Sequence, residues 1–206
     1  MRMELTVMTL IRNAVFLAAA LSTVACTGPR AFTRGQYEDP NQIEMLSDKF
    51  SENDLQLIAK KMADSLMASP QFAAIQGRPL IVIKTFKNST SEHIDMKSLA
   101  DKIQVALSRG GKFAFQDVAA RKDVAEEYEY QGSGYVDPNQ AKGPGQQAGA
   151  DYVLTGEISS IIQEVGADKL VYYKMTSKLS NLRSGIVDWT DEKELRKKFE
   201  KQGVSW

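Results

Sequence analysis

The chain has 206 residues, 43% of them apolar, and Lys plus Arg equal Asp plus Glu at 26 each. That length suits one ordinary domain with extensions, and the balanced charge lacks the basic surplus of a nucleic-acid binder. With one Cys and one His, an intramolecular disulfide and a Cys/His metal cluster are excluded, and neither a metal nor a cofactor is expected.

The N-terminus reads as a targeting segment. Ala14 to Leu21 is wholly apolar, about eight residues against the ~20 needed to span a bilayer. Arg2 and Arg12 precede it and small residues follow, the plan of a signal peptide; a start at Met8 would shorten the charged region. The exit, Thr23-Val24-Ala25-Cys26, resembles the lipobox of bacterial lipoproteins, with Thr23 where Leu is usual. The resemblance implies lipid on the Cys26 sulfur and cleavage before it. Thr27 in place of Asp favours the outer membrane by the same resemblance. Residues 1–25 are therefore expected as a signal peptide and 26–50 as a lipidated Cys and flexible tether. Residues 51–206 are expected as one globular domain with a charged C-terminal tail. The tether holds Gly28, Pro29, Gly35 and Pro40 without sustained periodicity. Fully extended, it would reach at most ~80 Å.

Ser51 with Asp54 three residues on predicts a helix start, and Leu55, Ile58, Met62 and Leu66 recur at helical spacing until Pro70. Leu80-Ile81-Val82-Ile83 predicts a buried strand ending in a Lys87–Thr90 turn. Asp95 begins a second helix with Leu99, Ile103, Ala106 and Leu107 inward, closed by Gly110-Gly111. Phe113-Ala114-Phe115 begins a second strand, and Asp117 caps a helix running to about Tyr130. The glycine-rich stretch 131–149 is expected as a loop, with room for a short helix after Pro144.

Tyr152 to Ile162, Leu170 to Leu182 and, after Gly185, Ile186 to Trp189 predict three more strands. The order β-α-β-α-β-β-β implies an α/β (α+β) fold. Its mixed sheet of four to five strands would combine right-handed crossovers with an antiparallel meander. Tyr172 and Tyr173, adjacent on a strand, must face opposite ways. Trp189 is expected to pack at the sheet edge. The segment Asp191–Lys201, charged and rich in helix formers, predicts a solvated helix.

Candidates for chemistry are few. His93, in a polar loop, has no nucleophile or metal motif beside it. Gly143–Gly149 lacks the Lys-Ser/Thr of a phosphate-binding loop, and no Gly-x-Gly-x-x-Gly follows the first strand. Asn88-Ser89-Thr90 fits a glycosylation sequon but is read as a turn. Tyr128, Tyr130 and Tyr135, with Arg121 nearby, are the expected partner-binding residues, since aromatic side chains and Arg are enriched at interfaces. No catalytic residue is expected, and the chain reads as a tethered binding module rather than an enzyme.

Three segments behind the lipobox carry a further resemblance: Leu80–Thr90 with its helix to Phe113, Gly149-Ala150-Asp151-Tyr152-Val153-Leu154, and Gly185-Ile186-Val187-Asp188-Trp189. Over residues 78–190 they resemble the LpoB family of penicillin-binding protein activators. The resemblance implies a fold like the N-terminal domain of TolB. It also implies an outer-membrane lipoprotein facing the periplasm that binds a class A penicillin-binding protein and allosterically stimulates peptidoglycan synthesis. The short tether and the tail past Trp189 depart from the family pattern. Secretion-pore lipoproteins resembling CsgG are the alternative, but no extra pair of membrane-spanning strands is left over for them. A small periplasmic hydrolase is a third reading, for which the sequence offers no convergent polar pocket.

Overall fold

The computed structural model describes residue 39, residues 46–73 and residues 75–201. The signal peptide, Cys26 and most of the tether expected from the sequence lie outside the described residues.

The first helix, α1 (Glu52–Ala68), starts where the capping pair predicts. The Ser51 N–H donates to an Asp54 carboxylate oxygen at 2.8 Å and the Ser51 hydroxyl to the same oxygen at 2.9 Å, so an otherwise orphaned donor is satisfied. Ile58, Ala59, Met62, Ala63 and Leu66 form its buried face. A short helix, α2 (Pro70–Ala73), buries Phe72. Strand β1 (Leu80–Ser89) follows, then α3 (Met96–Arg109), whose first turn is capped by Asp95 accepting from Ser98 N–H at 3.0 Å. Gly111, at φ 69°, takes the left-handed conformation that lets the chain leave α3 for strand β2 (Ala114–Gln116).

Helix α4 (Arg121–Tyr130) runs directly into a π-helical turn (Gln131–Tyr135). Strands β3 (Tyr152–Val165), β4 (Asp168–Asn181) and β5 (Val187–Glu200) complete the chain, each 14 residues long. The sheet order is β2-β1-β3-β4-β5, parallel where β1 meets β2 and β3, antiparallel from β3 to β5. This is the expected mixed α+β sheet, with crossovers through α3 and α4 before a meander.

Alternation decides which side of the meander is buried. On β4, Val171, Tyr173, Met175, Ser177 and Leu179 are buried while Tyr172, Lys174, Thr176 and Lys178 are not. Val171, Tyr173, Met175 and Leu179 pack with Ile58, Met62, Leu66, Leu99, Ile103 and Leu107 of α1 and α3 in one core. Phe72 sits in that core between Phe113 and Tyr152, edge-on to each at 5.6 and 5.4 Å.

Four sequence expectations change. Asp191–Glu200 is strand, not helix: it continues β5 past Trp189 and pairs residue by residue with β4, from Ser177↔Asp191 to Asp168↔Glu200. Inward Leu195 packs against the core, and inward Asp191 and Lys197 meet Lys61 and Asp54, which outweighs helix propensity. Strand β1 runs on through Ser89 because Lys87, Asn88 and Ser89 pair with Glu157, Ile158 and Ser159. Pro144 begins a turn rather than a helix. Asp117 accepts from Ala120 N–H at 3.1 Å, but α4 itself starts at Arg121.

Candidate functional site

Helix α4 buries no residue. A helix with no apolar face against the core gains little from packing, so what it exposes is open to other contacts. At its C-terminal end the π-helical turn, with Gly134 at φ 93°, carries Tyr135 back over Tyr130. The two rings stack at 5.8 Å with 14° between planes, and Tyr130 and Tyr135 are 54% and 82% exposed. The turn is held by Ser133 Oγ donating to the Tyr130 carbonyl at 2.6 Å and by Lys142 N–H donating to Gln131 Oε1 at 2.6 Å. Tyr128 Oη accepts from Gln147 at 3.2 Å, tying the helix to the following loop.

Of the four expected partner-binding residues, the fold thus brings Tyr130 and Tyr135 together and sets Tyr128 near them. Arg121 stands apart. It begins α4, about 10 Å along the axis from Tyr128, and its guanidinium donates to Gln116 Oε1 at 2.8 Å. Stacked, exposed phenol rings offer apolar area with a polar edge, the side-chain chemistry found at protein-interface anchors.

A second polar constellation joins the start of the domain to its end. Lys197 of β5 donates to Asp54 at 2.8 Å and to the Lys49 carbonyl at 2.7 Å, and its ammonium lies 5.2 Å from the centre of the Tyr173 ring. Tyr173 Oη donates to Glu92, which also accepts from Phe50 N–H at 2.8 Å. Burial, then the Glu92 hydrogen bond, push the Tyr173 phenol well above its ordinary range. Lys169 bonds Asp48 at 2.8 Å and holds that carboxyl below the usual aspartate range. Residues 48–50 are thereby fastened to β4 and β5. Nothing local in the sequence marks this cluster, because Lys197 falls in the segment expected as a solvated helix and its partners Asp54 and Lys49 are 143 and 148 residues away.

The remaining candidates are weaker. His93 is exposed. No group of three or more His, Cys, Asp or Glu residues is placed to hold a metal ion among the described residues. No helix among them is long and apolar enough to cross a membrane. A groove between α1 and α3, floored by Ala59, Ala63 and Ala106, encloses about 560 Å³. The sheet face away from the helices is polar. There Glu157 accepts from Ser89 at 2.6 Å and Lys87 at 3.1 Å, which lowers its pKa. Tyr172 donates to Glu194 at 2.6 Å, a bond that pushes its phenol up to about 12.

The family described as peptidoglycan-synthase activator LpoB matches residues 54–195, from the first turn of α1 into β5. No curated protein sequence matches the chain. Among solved structures, the LpoB C-terminal domain from Escherichia coli is 15% identical with a TM-score of 0.44, covering 69% of this chain and 98% of that one. The Salmonella enterica domain is 14% identical with a TM-score of 0.43 and the same coverage. Lipoprotein GNA1162 from Neisseria meningitidis is 16% identical with a TM-score of 0.38, covering 62% and 88%.

Proposed function

The chain belongs to the LpoB family of peptidoglycan-synthase activators, and from that premise we propose that it is an outer-membrane lipoprotein, anchored through Cys26 and facing the periplasm, that binds a class A penicillin-binding protein and activates it allosterically. The observation carrying this reading is the family match itself, which spans the folded body from α1 into β5. The anchor rests on the single Cys falling at the lipobox position. Its acyl chains supply more than the one chain that binds a membrane only marginally. Residues 1–25 are then the removed signal peptide. The tether runs from residue 26 to 47, since Asp48, Lys49 and Phe50 are bonded to the domain.

Activation of this kind requires contacts that differ between two states of the synthase, because a ligand shifts an equilibrium only by its differential affinity. The chain then needs a rigid recognition surface and no chemistry of its own. We assign that surface to Tyr130 and Tyr135, with Tyr128 behind them and Arg121 at its margin.

The test adds the full chain, in detergent, to a purified class A penicillin-binding protein and follows glycan polymerisation and peptide cross-linking. Both rates should rise and the two proteins should co-purify. Unchanged rates with no capture of the synthase would reject the activator reading. Separately, Cys26→Ser protein should leave the membrane fraction, and its continued sedimentation there would reject the anchor.

A further inference from the structure

Strand β5 is the outer strand of the sheet, with β4 on one side and, among the described residues, no strand on the other. Lys201 N–H donates to the Ala167 carbonyl at the β4 end of the hairpin. The alternating antiparallel pattern therefore turns the main-chain N–H and C=O groups of the even-numbered residues toward the free edge. One of them, the Glu192 N–H, is met by the Asp191 side chain at 2.8 Å. The same even-numbered residues expose their side chains on the polar face: Thr190, Glu192, Glu194, Arg196, Lys198 and Glu200 are all exposed.

Charged side chains on an edge strand ordinarily guard it, because strand addition brings like charges together. Here the charges are sorted: two acids, Glu192 and Glu194, then two bases, Arg196 and Lys198. In an antiparallel pair of identical strands about a two-fold axis, the register decides which charges meet. With the axis at Leu195, Glu194 opposes Arg196 of the second copy and Glu192 opposes Lys198, each pair occurring twice. A slip in one direction sets Glu194 against Glu194, and in the other Arg196 against Arg196. The Leu195 register leaves no like-charge contact on the open face, and it pairs outward-pointing main chain with outward-pointing main chain.

From this pattern we propose that β5 is a self-association edge, at which two copies of the chain join antiparallel about Leu195 into one continuous ten-stranded sheet. On the helix-bearing face the register sets Leu195 against Leu195. It also sets Lys193 directly opposite Lys197 of the second copy, twice, but the Lys197 ammonium is drawn inward and neutralised by Asp54, with the Lys49 carbonyl as a second acceptor. Lys198 lies 3.0 Å from Asp168 and 3.2 Å from Glu200 in its own chain and half-exposed, so Glu192 of the second copy would join an existing cluster. Glu192 and Arg196 enter no ion pair among the described residues. This proposal is independent of the synthase reading.

The test is a charge exchange, read by sedimentation velocity of the full chain in excess detergent. The unaltered chain should form a dimer that salt weakens. Glu194→Arg leaves only bases at the centre and Arg196→Glu only acids. Each variant alone should raise the dimer dissociation constant about tenfold or more, since attractive cross-strand pairs become repulsive. An equimolar mixture of the two should recover the dimer, because Arg at 194 then meets Glu at 196. Tyr172→Phe, which removes the Glu194 hydrogen bond without altering charge, should dimerise like the parent. A micelle that merely gathers anchors would treat all variants alike. A monomeric parent chain, dimers of unchanged strength in either single variant, or a mixture that stays monomeric would each overturn the proposal.

Discussion

Lys197 and Asp54, 143 residues apart in sequence, form an ion pair of 2.8 Å whose side chains are 6% and 5% exposed. The pair fastens the last strand to the first turn of α1. Asp54 also receives the Ser51 N–H and hydroxyl, so its charge is well solvated by the protein. Lys197→Met removes the cation and leaves that carboxylate buried. Removing one partner of a buried pair costs about 3–5 kcal/mol. Urea unfolding should show such a loss, and Lys197→Met with Asp54→Asn should lose less than the sum of the two single changes.

Gly156 is where the sheet approaches its own side chains most closely. A Cβ there would lie 2.5 Å from Met175 Cε and 2.9 Å from Phe86 Cε1. Methionine can move aside, but the ring of Phe86 is held against the core. Gly156→Ala should destabilise by about 1–3 kcal/mol, the usual cost of overpacking. Thermal unfolding measures it, and a neutral result would show that the Phe86 ring has room to turn.

The sequence carried most of the fold because its strongest signals were local. The Ser51/Asp54 start, the Asp95 cap, the Gly110-Gly111 stop and the alternation on β4 each concern residues a few positions apart. The second half of β5 was misread for the opposite reason. Asp191–Glu200 is built from helix formers, and only Trp189, Leu195 and Phe199 mark its inward side. The intervening Asp191 and Lys197 look solvated until Lys61 and Asp54 of α1 are seen to neutralise them. Glu92 was unreadable likewise, as its partner Tyr173 is 81 residues away. In the candidate site, residue type and closeness in sequence are what single out the three tyrosines. The stacking of Tyr130 on Tyr135, and the separation of Arg121 from both, depend on the π-helical turn, which has no distinct sequence pattern.

Tyr130 and Tyr135 separate function from stability. Both are exposed, and neither belongs to the core. Tyr130→Ala and Tyr135→Ala should therefore change unfolding free energy by no more than about 0.5 kcal/mol. Under the proposed function, each should weaken synthase binding by about 1–2 kcal/mol or more, the range of an aromatic hot spot. Titration of the synthase with each variant reads this directly. Variants that bind like the parent would remove the pair from the interface.

Acid should loosen the junction between α1 and β5. Burial alone would raise the pKa of Asp191, but hydrogen bonds from Lys61 and Ser65 outweigh it and leave the carboxyl below its ordinary 3.8. Asp48, beside Lys169, and Glu157, beside Ser89 and Lys87, are lowered likewise from 3.8 and 4.5. A carboxyl with a depressed folded-state pKa binds protons more readily when unfolded, so stability rises with pH through that window. Their contribution is complete above the unfolded values and disappears as pH falls through the lower folded ones. The urea midpoint should therefore hold steady down to about pH 5 and decline below it. Lys61→Met removes the strongest support for the Asp191 carboxylate. The variant should start less stable at neutral pH and lose less on acidification. A parallel decline in parent and variant would show that this ion pair does not contribute to the acid sensitivity.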